Sequence, residues 1–314
     1  MSNKQIYRHR NNHAGAVKRT AHASANSARH QDPTTDQILM RARREIAMRR
    51  TEQAERIWCR TSRWIWPTFT FAVLVAFFAA PGPVPRKLLQ AMGGVCGLRP
   101  AHSYFAGGVQ LPMESRMIGI YSGFSLTLIV LLISRRLGTQ RLGNRLLIGI
   151  LALFFASMVF DGVNSTLTDL GLPHLYQSTN VTRLVTGLLS GIAIAPFLVW
   201  LLGVVAMPRN DVAPGTVVRS LWDLVLPLAL NGGFAMVVMS QRAEFYYPIA
   251  LLSVGGVVMV LAIAALLVVL TISDTAGKIT NARLAIAPGA LAFLIAFAVL
   301  AVTAAARWSS TAAM

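Results

Sequence analysis

Seven apolar runs constrain this chain more than any other feature. They fall at about 64–80, 117–134, 145–161, 183–207, 219–240, 246–273 and 283–305, and a run near twenty residues matches the hydrocarbon thickness of a bilayer. With 54% hydrophobic and 13% charged residues, the chain is far too apolar for a soluble domain. The expectation is an all-α, polytopic membrane bundle of about seven transmembrane helices. Ahead of it, residues 1–63 hold 14 Lys and Arg against 5 Asp and Glu and show no apolar periodicity before Gln37. They read as a basic, partly disordered tail, and residues 64–314 as the membrane domain.

The segment from Asp36 to Arg60 has the pattern of a juxtamembrane helix, with Ile38, Leu39, Ile46 and Ile57 loosely on one side and arginines elsewhere. Each basic residue near an anionic leaflet is attracted by roughly 1 kcal/mol. The bilayer, and anionic inner-leaflet lipids through this tail, are therefore the expected partners. A cytoplasmic protein docking on the tail is a further reading. Nucleic acid is not expected, because basic residues are not interleaved with aromatics.

A cytoplasmic tail makes 134–145, 208–219 and 273–283 inner connections, with eight Lys and Arg in about 35 residues against seven in about 73 outside. The positive-inside rule agrees. The expected location is the inner membrane of a bacterium, with the amino terminus cytoplasmic and the carboxy terminus outside. Cys59 and Cys96, the two cysteines, then lie on opposite sides and cannot pair.

Two polar stretches share the outer side, Val95 to Phe124 and Asp161 to Gly187. Charges here oppose helix dipoles. A cation in a first turn, or an anion in a last turn, is disfavoured by roughly 0.3–1 kcal/mol. Yet Arg116 opens the second run, Arg183 opens the fourth, and Asp161 closes the third. Pairing of Asp161 with Arg116 or Arg183 resolves the conflict, with Glu114 and Asp169 as further candidates for such pairs. Gly119 and Gly123, and Gly187 and Gly191, each follow one of these arginines at a spacing of four, the spacing that lets helix backbones approach. Ser178, Thr179 and Asn180 have the composition of a helix cap. Asp223, Pro227 and Asn231 lie four apart before Gly232-Gly233, which reads as an interrupted fifth span with polar residues at mid-depth.

Arg116 and Arg183 are candidate anion contacts, Asp161 their counter-charge, and Gln110, Glu114, Asn164 and Asn180 further polar contacts. The leading expectation is an extracytoplasmic pocket for a small polar or anionic ligand, a lipid headgroup or a metal ion, with a role in transport among its uses. A membrane-embedded enzyme using Glu114 or Asp161 with His102 as acid and base is an alternative, as is a subunit or assembly factor. Catalytic residues and cofactor stay open. His102 and His174 have no HExxH-type spacing, so no metal ligands are assigned.

The segments CGLRPAHSYFAGGVQLPMESRMIGIYSGF, FDGVNSTLTDLG and QSTNVTRLVTGLLSG resemble the uncharacterised bacterial membrane-protein family of domain of unknown function 2085, over about Val95 to Leu202. The resemblance matches Cys96, Arg99, Pro100, Ser103, Gly108, Gln110, Pro112, Arg116, Gly119 and Tyr121, then Asp161, Ser178, Thr179, Asn180, Arg183 and Gly187. It implies a shared core and no known activity. Where the family pattern has a Cys-His pair and a Cys-x-Arg-Cys group, this chain has Gly97, Glu114 and Met117. The thiolate site that multi-cysteine members suggest therefore lacks three of its residues.

Overall fold

In the computed structural model the described residues are 75–208, 215–273, 275–279 and 284–312, with scattered positions between 39 and 73. The chain divides into units of Met1–Ile57 and Trp58–Met314. In the first, Leu39, Met40, Ala42, Glu45 and Ile46 are helical; the rest of the expected tail, with its juxtamembrane helix, lies outside the described residues. Cys59 and part of the first span do too.

In the second unit the elements run α1 (Val84–Met92), β1 (Phe105–Ala106), β2 (Val109–Gln110), α2 (Ser115–Ile133), α3 (Arg145–Asp169), α4 (Asn180–Ala206), α5 (Trp222–Met239), α6 (Tyr246–Ile272) and α7 (Ile286–Ala312). Among the described residues, six helices are long and apolar enough to cross a membrane, or seven if the bent pair Phe71–Ala79 and Val84–Met92 is one span. This is the all-α polytopic bundle that the apolar runs predict. α3 continues two turns beyond the expected end at Asp161. The fifth span is a correction: α5 runs unbroken through Asn231-Gly232-Gly233. The Asn231 amide donates to the Pro227 carbonyl at 2.8 Å, which ties the turn around the proline. Asp223 sits in the first turn of α5, accepting from the Arg219 amide at 2.7 Å and facing Arg136 at 3.3 Å.

α2 is the central helix, with α4 on one side and α6 on another. Its contact with α4 is made by the four glycines. A Cβ on Gly119 would lie 2.5 Å from the Leu184 carbonyl oxygen, and one on Gly187 2.5 Å from that of Arg116. Backbones meet there with no room for a side chain, as small residues at this spacing permit. Gly256 of α6 lies equally close to the Tyr121 carbonyl, and Ser125 donates to the Leu252 carbonyl at 2.9 Å.

Between α1 and α2 the chain forms a plug over one end of the bundle. Gly107 and Gly108 turn the β1–β2 hairpin at φ of 57° and 82°, values that glycine adopts without strain and that suit a tight hairpin turn. Tyr104, Ala106, Leu111 and Met113 are buried in one core with Ile118, Leu184, Val238 and Ile249. The Gly107 amide donates to Gln241 O at 2.9 Å, fixing the hairpin to the α5–α6 turn. Arg307, near the end of α7, donates to the carbonyls of Gly93, Cys96 and Gly97. The carboxy-terminal end of α7 therefore lies on the same face as the plug.

Candidate functional site

Asp161 is fully buried, and its carboxylate is surrounded by donors. Arg116 Nη2 reaches Oδ2 at 2.6 Å and Thr186 Oγ1 reaches it at 3.4 Å. Tyr176 OH and Ser178 Oγ reach Oδ1 at 2.7 and 3.0 Å. A buried carboxylate is stable only with such complete pairing. Burial, followed by the Asp161 carboxylate, pushes the Tyr176 phenol up to about 12, so it remains a donor at any ordinary pH.

The two arginines that oppose their helix dipoles have different surroundings. Arg116 has the carboxylate. Arg183, 5% exposed, donates from Nε and Nη2 to a single neutral acceptor, Ser165 Oγ, at 3.2 and 2.8 Å. Its nearest carboxylate oxygen is Asp169 Oδ1 at 3.8 Å. Asp169 is shared: Arg99 Nη1 holds Oδ2 at 2.8 Å, and His102 Nε2 lies 3.5 Å from Oδ1. Arg99 also reaches Glu114 Oε1, through its backbone amide at 3.0 Å and Nε at 3.3 Å. The other Glu114 oxygen lies 4.0 Å from His102 Nδ1.

His102 thus stands between two carboxylates, one near each ring nitrogen. Burial, then Arg183 and Arg99, push its pKa below the usual imidazole value, so near neutral pH it is an uncharged group able to give or take one hydrogen bond. The two carboxylates approach different nitrogens. Among the described residues no three His, Cys, Asp or Glu side chains converge on one metal position.

The turn Pro100–His102 is positioned by both neighbouring helices. Ser115 Oγ donates to the His102 carbonyl at 2.7 Å. Asn180 Nδ2 donates to the carbonyls of Ala101 and Ser103 at 3.2 and 3.4 Å. With its nitrogen set by two acceptors, the Asn180 Oδ1 atom is buried and has no hydrogen-bond partner. Asn180 and Arg183 are three apart on α4 and share a face.

The polar triplet before α4 divides its work. Ser178 binds Asp161, Thr179 caps the helix in a capping box with Thr182, and Asn180 holds the plug. Asn164 is satisfied by the connecting loop, donating to the Tyr176 carbonyl at 2.8 Å and accepting from the Leu175 amide at 2.8 Å. Gln110 donates to Leu98 O and Ser103 Oγ, both at 3.1 Å. Both side chains fasten the frame around the charged cluster.

Arg99, Ser165 and Tyr176 join the cluster without having been assigned as site residues from sequence, and Asp169, a further candidate for charge pairing, joins it as well. The extra turns of α3 carry Ser165 and Asp169 to the level of Arg183.

Positions 96, 97 and 114 also meet. The Glu114 amide donates to Cys96 Sγ at 3.2 Å, and a Cβ on Gly97 would lie 2.6 Å from Glu114 Oε1. Burial pushes the Cys96 thiol up, away from reactive thiolate character. Glu114, held by Arg99, fills the space in front of Gly97, where a larger residue would displace it.

A buried glycine seam, six or seven apolar spans and a polar plug at one end define a multi-pass α-helical membrane protein. Residues 96–197 match the family described as Predicted membrane protein (DUF2085), the family whose motifs the sequence resembles. No curated protein and no solved structure matches the chain.

Proposed function

We propose that the plugged face is extracytoplasmic and recognises a small polar molecule bearing an acidic group, with Arg183 as its anion contact. The observation that carries this reading is the undercompensated charge of Arg183. A buried guanidinium normally meets a carboxylate in bidentate fashion. Here it has one hydroxyl and a carboxylate oxygen 3.8 Å away. Asn180 Oδ1, an unused acceptor on the same face, would take a donor group of the same molecule. Neutral His102 and the shared Asp169 complete a set able to rearrange around an anion. Arg116, Asp161, Asn164 and Gln110 hold the frame, and Glu114 orients Arg99. The basic connections at the opposite face support an inner-membrane location with this face outside.

Isothermal titration of the purified protein with a panel of small carboxylates and phosphates tests the reading. Binding that is lost in Arg183→Gln and retained in Arg242→Gln supports it. Uptake of no member of the panel, or equal uptake by both variants, counts against it.

A second reading is favoured by the full set of donors around Asp161: the network is structural, and the chain serves as a subunit or assembly factor. An acid–base role for Asp161 is disfavoured by the four side-chain donors that hold it ionised.

A further inference from the structure

The opposite end of the bundle carries a different feature. α3 packs chiefly on α4, and the two helices are joined at the plugged end by the Asp161, Ser165 and Arg183 contacts. Toward the other end they leave an apolar groove of about 310 Å³, lined by Leu142, Ile148, Ala152 and Phe155 on one side and by Ala193 and Phe197 on the other. Small residues open it: Ala152 and Ala193 line it, and a Cβ on nearby Gly149 would meet nothing within 4 Å. Pro196 interrupts the hydrogen bonding of α4 alongside.

At the mouth of the groove stand two exposed cations. Arg141 directly precedes the lining residue Leu142, and Arg145 is the first residue of α3. The 141–142 segment is fixed by backbone hydrogen bonds from Val217 and Val218, both at 2.9 Å. Among the described residues neither arginine has an ion-pair partner, whereas neighbouring Arg136 is paired with Asp223. Arg145 in a first turn opposes the α3 dipole, because that end already carries about half a positive charge. An anion beside it removes the conflict.

We propose that this groove is a binding site for one anionic phospholipid, with its phosphate on Arg141 and Arg145 and one acyl chain between α3 and α4. Charge complementarity selects the anionic headgroup, and the wholly apolar lining selects the chain. A free phosphate would leave the groove unfilled, and a zwitterionic lipid would gain less from the arginines.

Native mass spectrometry of the full chain in detergent, supplied with equal amounts of phosphatidylglycerol and phosphatidylcholine of identical chains, tests the site. The expected result is one retained phosphatidylglycerol, preferred by at least about fivefold, since each arginine contributes about that factor near an anionic headgroup. Arg141→Gln with Arg145→Gln should abolish the preference. Ala152→Phe, at an exposed position, should reduce retention of both lipids by filling the groove. Equal retention of the two lipids by the unaltered protein overturns the proposal. So does a double arginine variant that keeps the preference, or an Ala152→Phe variant that retains phosphatidylglycerol unchanged.

Discussion

Arg116 and Asp161 lie 2.6 Å apart, the arginine placed where its own helix dipole disfavours it. Arg116 is in the first turn of α2, and Asp161 is two turns from the end of α3. The pair resolves the conflict for α2, gives the buried Asp161 carboxylate its counter-charge, and joins α3 to the α2–α4 seam. Removing one partner of such a pair strands the other, which costs about 3–5 kcal/mol. Asp161→Ala should therefore lower the thermal midpoint of the detergent-solubilised protein sharply, and Arg183→Gln should lower it much less. Equal losses would show that Arg183 is as firmly paired as Arg116.

Packing of α2 on α4 leaves no space at Gly187. Gly187→Leu should separate the helices and unfold the polar cluster, whereas the same change at Gly233, where a Cβ meets nothing within 4 Å, should be tolerated. Thermal stability and monodispersity in detergent distinguish the two.

That seam was legible in the sequence because its period is local: arginine, then two glycines four apart, twice. The need of Arg116 for a partner was legible because charges at helix ends have a sign rule, whereas Asp161 lies inside α3 and needs one because it is buried. The partition of partners was not. Whether Asp161 meets Arg116 or Arg183 depends on helix rotation, and α3 extends to Asp169, which brings Ser165 and Asp169 to Arg183. Within and before the first polar stretch the local signals are weak: Pro83 before an amphipathic stretch marks α1, and Gly107-Gly108 between extended residues marks the hairpin. Gly232-Gly233 suggested a break, but in an apolar surrounding the backbone groups have no partners outside the helix, so the helix carries two glycines without interruption.

His102 gives the cluster a pH dependence. Its pKa is lowered in the folded protein by burial and by Arg183 and Arg99, so the unfolded chain takes up the proton first. Stability is then lost as pH falls through about 6.5, the ordinary imidazole value, and is unaffected above it. Thermal midpoints between pH 8 and pH 5.5 should show a decline that His102→Gln removes. An identical decline in the variant would assign it elsewhere.

Gly97 and Glu114 form a matched pair. Gly97→Ala should displace the Glu114 carboxylate from Arg99 and destabilise the plug, and Glu114→Gly in the same chain should recover part of the loss. Additive losses in the double variant, measured by thermal unfolding, would show that the two positions act independently.

The most direct test of Arg183 as an anion contact is native mass spectrometry of gently extracted protein beside its Arg183→Gln variant, each before and after addition of small carboxylates and phosphates. The account predicts a small acidic adduct on the unaltered chain and its loss from a variant that remains folded. An unaltered chain that stays bare throughout, or a variant that keeps the adduct, would contradict it.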